Sequence, residues 1–196
     1  MFSKIIDPET YHYYPITIAG CNRELPICRV NDGLYIAGFV IFGDVELTRA
    51  CAEALVAKMP PFDIMITAES KGIPLAYEMA RIMNSNRYLI ARKAPKLYMR
   101  DIHSAQVKSI TTEQMQTLYI DGKDKVAMEG KRVVIVDDVI STGESLSAVE
   151  ELVRSAGGII TGKMCILAEI LYISNRFRFS SPKNKHITSE RMMAFA

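Results

Sequence analysis

No two cysteines in this chain stand in a CxxC spacing, and no Cys/His group has the spacing of a zinc site, so neither a redox dithiol nor a metal-stapled fold is on offer. Of the four cysteines, Cys51 falls on the apolar face of an expected helix and Cys165 inside an expected strand, which points to buried, reduced thiols; Cys21 and Cys28 complete the count. No apolar run approaches the roughly 18 residues that span a bilayer. Met1 to Glu9 lacks the apolar stretch of a signal peptide, so the cytoplasm is the expected location and no membrane partner is expected. Strong charge of one sign is missing too. With a net charge of +2, and Lys and Arg dispersed except in the C-terminal tail, nothing resembles a nucleic-acid footprint.

What is present is an ordinary soluble composition, 49% apolar and 23% charged, in 196 residues, enough for one domain with a real core. The chain is organised around one stretch, Val133-Val134-Ile135-Val136-Asp137-Asp138-Val139-Ile140-Ser141-Thr142-Gly143-Glu144-Ser145, followed by a helical pattern from Leu146 to Ala156. Four consecutive β-favouring apolar residues read as a strand buried on both faces, as in a parallel sheet covered by helices. Two acids then stand at its carboxyl end, where ligands bind in open α/β sheets. The hydroxyl-rich turn after them leads into a helix, so backbone N–H groups converge at the positive end of a helix dipole and suit a phosphate. The carboxylates suit sugar hydroxyls, or a divalent cation that the sugar also holds. Taken singly, Asp137 is common at strand ends, Ser141 could be a helix cap and Gly143 a turn residue.

The uninterrupted order of four apolar residues, two acids, two apolar residues and a small-Thr-Gly turn resembles the phosphoribosyl-diphosphate signature of the type I phosphoribosyltransferases. The resemblance implies an α/β fold: a doubly wound, mostly parallel sheet flanked by helices, with a small N-terminal hood and a flexible hairpin over the site. On that basis residues 1–196 form a single phosphoribosyltransferase domain, with 1–43 hood-like, 44–173 the α/β core and 174–196 a mobile tail.

The remainder of the chain fits this frame. Residues 1–43 hold Tyr11, Tyr13, Tyr14 and short apolar pieces separated by turn residues such as Asn22 and Asn31-Asp32-Gly33, which suggests a small antiparallel element. The tyrosines could stack on a planar base or form a surface or dimer contact. From Asp44, a candidate cap, a helical face of Leu47, Cys51, Ala54 and Leu55 runs to Pro60-Pro61. Ile64-Met65-Ile66 reads as the first parallel strand and delivers Glu69-Ser70-Lys71-Gly72 to the sheet edge, with Pro74 opening a helix to Ile82-Met83. This turn is similar to the Asp-Ser-Arg-Gly type turn that binds pyrophosphate in adenine phosphoribosyltransferases, with Lys in place of Arg, which keeps the charge and loses the bidentate fork. After a strand at Tyr88 to Ala91, the cations Arg92, Lys93 and Lys96 either form a solvated surface or neutralise phosphates; the run is similar to the Arg-Lys-x-x-Lys-Leu segment of the same enzymes.

Asp101 to Thr117 has weak periodicity and reads as a mobile excursion, with Met115 to Ile120 a return strand and Asp121-Gly122 its turn. Glu113 stands at the spacing of the Glu in the Ser-Tyr-x-x-Glu-Tyr motif of adenine phosphoribosyltransferases, without either Tyr. It is a candidate catalytic acid, with an exposed loop Glu as the rival reading. His103 reads as solvated. Gly157-Gly158 caps the helix after the central turn and Ile159 to Ala168 is a further strand ending in Glu169.

The resemblance implies transfer of the 5-phosphoribosyl group from phosphoribosyl diphosphate to a purine, most closely adenine, giving a nucleoside monophosphate and pyrophosphate. Ser141, Thr142, Gly143, Glu144 and Ser145, preceded by Val139 and Ile140, would hold the 5′-phosphate. Asp137 and Asp138 would take the ribose hydroxyls, and Glu69, Ser70, Lys71, Gly72, Arg92, Lys93 and Lys96 the diphosphate. Mg²⁺ would enter mainly on the substrate, with no protein metal site. A homodimer is the expected assembly. Xanthine, guanine or hypoxanthine as the base is the alternative, as is a non-catalytic regulator that senses phosphoribosyl diphosphate, although no helix-turn-helix pattern precedes the first parallel strand.

Overall fold

The computed structural model describes residues 12–31, 34–108, 115–140 and 144–168. Near the N-terminus, β1 (Tyr13–Ile18), β2 (Cys21–Asn31) and β3 (Leu34–Ala37) form an antiparallel sheet in that order. Alternation along β1 turns Tyr14, Ile16 and Ile18 inward and leaves Tyr13 exposed, so Tyr13 and Tyr14 do not share one face, and Tyr11 lies outside the described residues. Asn22, expected in a turn, pairs with Thr17 inside the ladder instead; Ala19 and Gly20, at φ 49 and 82, make the turn.

Asp44 caps α1 (Val45–Val56), its carboxylate accepting from the Leu47 N–H at 3.0 Å. The parallel strands follow: β4 (Ile64–Ala68), then α2 (Gly72–Ile82), β5 (Leu89–Ala91), β8 (Arg132–Ile140), α4 (Glu144–Ser155) and β9 (Ile159–Ala168). Between β5 and β8 lie β6 (His103–Lys108), β7 (Met115–Ile120) and α3 (Gly122–Met128). The sheet order is β5-β4-β8-β9, all parallel, the doubly wound arrangement expected of the sequence. From β4 the chain winds outward to β5 and returns to β8 on the other side. The crevice between the carboxyl ends of β4 and β8 is therefore a topological switch point.

Successive residues of β8 feed two separate cores, one on each face of the sheet. Val134 and Val136 pack with α1 and α2, and this core also takes in Ile18 and Leu25 of the N-terminal sheet. Val133 and Ile135 pack with α4, and with Ala105, Leu118 and Ile120 of the β6–β7 hairpin. Each strand residue is thus paid in apolar burial on one side or the other, as a near-continuous hydrophobic strand requires.

Three expectations need correction. Part of the 101–117 excursion is regular: His103 to Lys108 pair antiparallel with Met115 to Ile120. Cross-strand burial on α4, not periodicity, holds this stem together, and residues 109–114 lie outside the described ones. Asp121-Gly122 is not only a turn, because Asp121 caps α3 by accepting from the Lys123 N–H at 3.2 Å. The central strand runs past the acids, since Val139 and Ile140 keep pairing with Leu167 and Ala168. No described helix is long and apolar enough to cross a membrane.

Candidate functional site

Two carboxyl ends meet at the switch point. β4 hands over to Glu69, whose peptide bond to Ser70 is cis, and α2 begins at Gly72. The close fit there needs glycine: a Cβ on residue 72 would run into Thr67 Oγ1 and lie 3.3 Å from both Cα and Oδ1 of Asp137. The first turn of α2 therefore sits flush against β8, and the positive end of that helix dipole faces the two acids.

Asp137 Oδ1 accepts from the Asp138 N–H at 2.9 Å. Burial, followed by the charge of Asp138, raises the Asp137 carboxyl well above the usual carboxylate range. Asp138 is 5% exposed, and its Oδ2 has no hydrogen-bond partner among the described residues. Lys71 Nζ, at 3.8 Å, is its nearest counter-charge. A buried carboxylate oxygen without a hydrogen bond is costly, and among the described residues Asp138 Oδ2 has none, which suits it to accept one from a ligand.

The third piece is the loop after β5. Arg92 donates through Nη1 to Glu69 Oε1 at 3.0 Å and through Nη2 to the Tyr98 hydroxyl at 2.9 Å. Its backbone exchanges hydrogen bonds with Tyr119 of β7, so this loop, the β4 turn and the hairpin meet at one residue. Lys93 and Lys96 have no ion-pair partner among the described residues.

Of the residues singled out in the sequence, Glu69, Ser70, Lys71, Gly72, Arg92, Lys93, Lys96, Asp137 and Asp138 gather along this carboxyl rim, with Val139 and Ile140 continuing β8. Glu144 and Ser145 open α4. Ser141, Thr142, Gly143 and Glu113 lie outside the described residues. His103 is not free in solvent as expected: its Nε2 lies 2.9 Å from Ser155 Oγ, tying the hairpin to α4, and burial lowers its pKa. Sequence reasoning missed Thr67, Tyr98 and Tyr119. A hydroxyl closing an apolar strand was a signal for Thr67; nothing local marks the two tyrosines. A cavity of about 430 Å³ opens beside β5, lined in part by Ile90, Arg92, Tyr98 and Met99, and none of Lys71, Gly72, Asp137 or Asp138 borders it.

A doubly wound sheet whose switch point combines a helix N-terminus, twin carboxylates and a cationic loop defines a protein that handles phosphorylated sugars or nucleotides. The chain belongs to the phosphoribosyl transferase domain family, whose model matches residues 55–168. It is 34% identical over 115 residues to an adenine phosphoribosyltransferase of Petrotoga mobilis, spanning 59% of this chain and 62% of that relative's length. A hypoxanthine/guanine phosphoribosyltransferase of Methanococcus maripaludis is 32% identical over 165 residues, 83% of this chain and 75% of the relative. Among solved structures, adenine phosphoribosyltransferase from Saccharomyces cerevisiae, complexed with an imino-altritol bisphosphate and adenine, superposes with a TM-score of 0.62 at 20% identity, covering 87% of this chain and 92% of that one.

Proposed function

We propose that this protein transfers the 5-phosphoribosyl group of phosphoribosyl diphosphate to a purine base, adenine first, releasing pyrophosphate. The observation that carries the reading is the acid pair at the switch point, with Asp138 Oδ2 buried and without a donor among the described residues. Ribose offers that donor: its vicinal hydroxyls would give hydrogen bonds to Asp137 and Asp138 and fix the sugar with C1 toward the base. The turn at 141–145 would hold the 5′-phosphate through amides at the start of α4. As the C1–O bond breaks, its electron pair leaves on the diphosphate, where Lys71, Lys93 and Lys96 would stabilise the growing charge. The purine ring nitrogen forms the new C1–N bond with inversion and loses its proton, and Glu113 is our candidate for taking it.

The donor set also fits Mg²⁺ arriving on the substrate. The acid pair would hold the ion through the ribose hydroxyls. Bound there, the ion would neutralise diphosphate charge. We take the protein to be a cytoplasmic homodimer. Exposed Tyr77, Leu97 and Tyr98 support the second half of that reading as apolar surface of the kind a two-fold contact covers.

Incubation with phosphoribosyl diphosphate, Mg²⁺ and single bases tests the proposal, with adenosine monophosphate and pyrophosphate as the expected products. Hypoxanthine or guanine as the sole accepted base would move the specificity to the class of the Methanococcus relative. Product from no base would sink the enzyme reading. Asp137→Asn with Asp138→Asn should lower kcat/KM by about a hundredfold or more, as loss of charged hydrogen bonds predicts.

A further inference from the structure

We infer that Glu69 and Arg92 are a positioning pair that sets the pose of loop 92–99, leaving contact with the diphosphate to Lys93 and Lys96. This rests on the transfer reaction proposed above and reassigns two residues within its site.

Glu69 presents a difficulty if read as a substrate ligand. A carboxylate on the turn that must face a diphosphate repels it unless another group neutralises the charge. The geometry supplies that group from inside the protein. Glu69 Oε1 accepts from Arg92 Nη1 at 3.0 Å and Oε2 accepts from the Lys93 N–H at 3.2 Å, so both oxygens are engaged. The Glu69 N–H donates to Ala91 O at 2.9 Å, which ties the turn to the end of β5. Burial works to raise the Glu69 carboxyl, and the Lys93 amide, Arg92 guanidinium and Lys96 ammonium outweigh it, so the group lies below its ordinary pKa and stays charged.

Arg92 is committed in the same way. One terminal nitrogen is on Glu69 and the other on Tyr98, 2.9 Å away. Its N–H donates to Tyr119 O at 2.8 Å and its carbonyl accepts from the Tyr119 N–H at 2.9 Å. Swinging the guanidinium away to centre it on a diphosphate would break its bonds to Glu69 and Tyr98 and leave a carboxylate uncompensated at the rim, so Arg92 is held in place with only its three remaining N–H groups uncommitted. Lys93 and Lys96 carry no such cost. The planar fork thus serves as an internal strut between the β4 turn and the β5 loop, with the point charges of exposed Lys93 and half-buried Lys96 beside it.

A double-mutant cycle on Glu69→Ala and Arg92→Ala separates strut from ligand. Each single change should raise the KM for phosphoribosyl diphosphate about tenfold and leave kcat within about twofold, because the loop loses its pose and the reacting groups do not. The double variant should be about tenfold worse, since removing either partner already breaks the strut. Glu69→Gln, which keeps an acceptor in place, should recover part of the loss. Losses that multiply in the double variant, or a lower KM in Glu69→Ala, would overturn the pair. Amide hydrogen exchange reads it without catalysis: the Lys93 N–H should exchange faster in Glu69→Ala than in the parent, and equal rates would overturn it as well. A parent protein that makes product from no base would refute the transfer reaction, whereas the exchange result stands or falls independently of turnover.

Discussion

Asp137 and Asp138 were legible in the sequence because two adjacent acids directly after Val133 to Val136 break a buried strand at the one end where ligands are met. What the sequence could not show is how unequally they are treated. Gly72 was likewise visible as a turn glycine, but the reason for it, Thr67 and Asp137 directly behind its Cα, depends on strands that are distant in sequence. Arg92 stood out as a cation, while its commitment to Glu69 and Tyr98 belongs to the folded chain alone. Asp137 leads to a prediction with a definite sign. Its ordinary value is 3.8, and burial with the Asp138 charge raises it in the folded protein. Its contribution therefore favours folding at pH below 3.8 and is withdrawn as pH rises from there toward the raised folded value. Urea midpoints of the empty protein should fall with rising pH across that window more steeply than those of Asp137→Asn. Parallel profiles for the two proteins would refute the assignment.

At the level of elements, β4, β8, β9, α1, α2 and α4 could be read from the sequence because each either alternates between two buried faces or carries a broad apolar stripe. The return strand β7 was read at Met115 to Ile120, but its partner β6 and α3 could not be read. α3 buries only Met128 among its seven residues, so it leaves almost no helical period, and its start is marked only by the Asp121 cap. β6 is similarly faint, because Ala105 is its one fully inward residue with a described side chain. Capping also links elements. Asp44 both caps α1 and receives Arg23 of β2, with Nε at 2.6 Å and Nη2 at 2.9 Å. Asp44→Ala should cost about 0.5–2 kcal/mol in chemical denaturation, the range for a lost N-cap. Glu46→Ala should change stability far less, since Glu46 reaches the same arginine from an exposed position. Equal losses for the two would show that the cap is not what matters.

For the whole molecule, the layering followed from pattern, whereas the sharing of one core between the N-terminal sheet and the α1–α2 layer did not, because Ile18 and Leu25 carry no mark of the partners they meet. Among the described residues the two cores lie on opposite faces of the sheet, so β4 and β8 connect both of them to the site. Leu152, fully buried in α4, tests this. Leu152→Ala should cost about 2–5 kcal/mol. Phosphoribosyl diphosphate with Mg²⁺ should raise the melting temperature of both proteins by mass action, as differential scanning calorimetry would show. No rise in the parent would count against the site.

Among the described strands the two ends of the parallel sheet are unequal: β5 is three residues long and its rim is bridged at Arg92 by Tyr119, whereas β9 runs for ten residues. Main-chain groups along an open border can template another copy, and the hazard grows with the length of that border. Among the described residues, Lys163 is the one charged side chain on β9, and it turns back to Glu150. Self-association on partial unfolding would therefore begin along β9, and a lysine placed at exposed Ile159, whose N–H stays paired with Lys131 O, is where resistance to it could be built in.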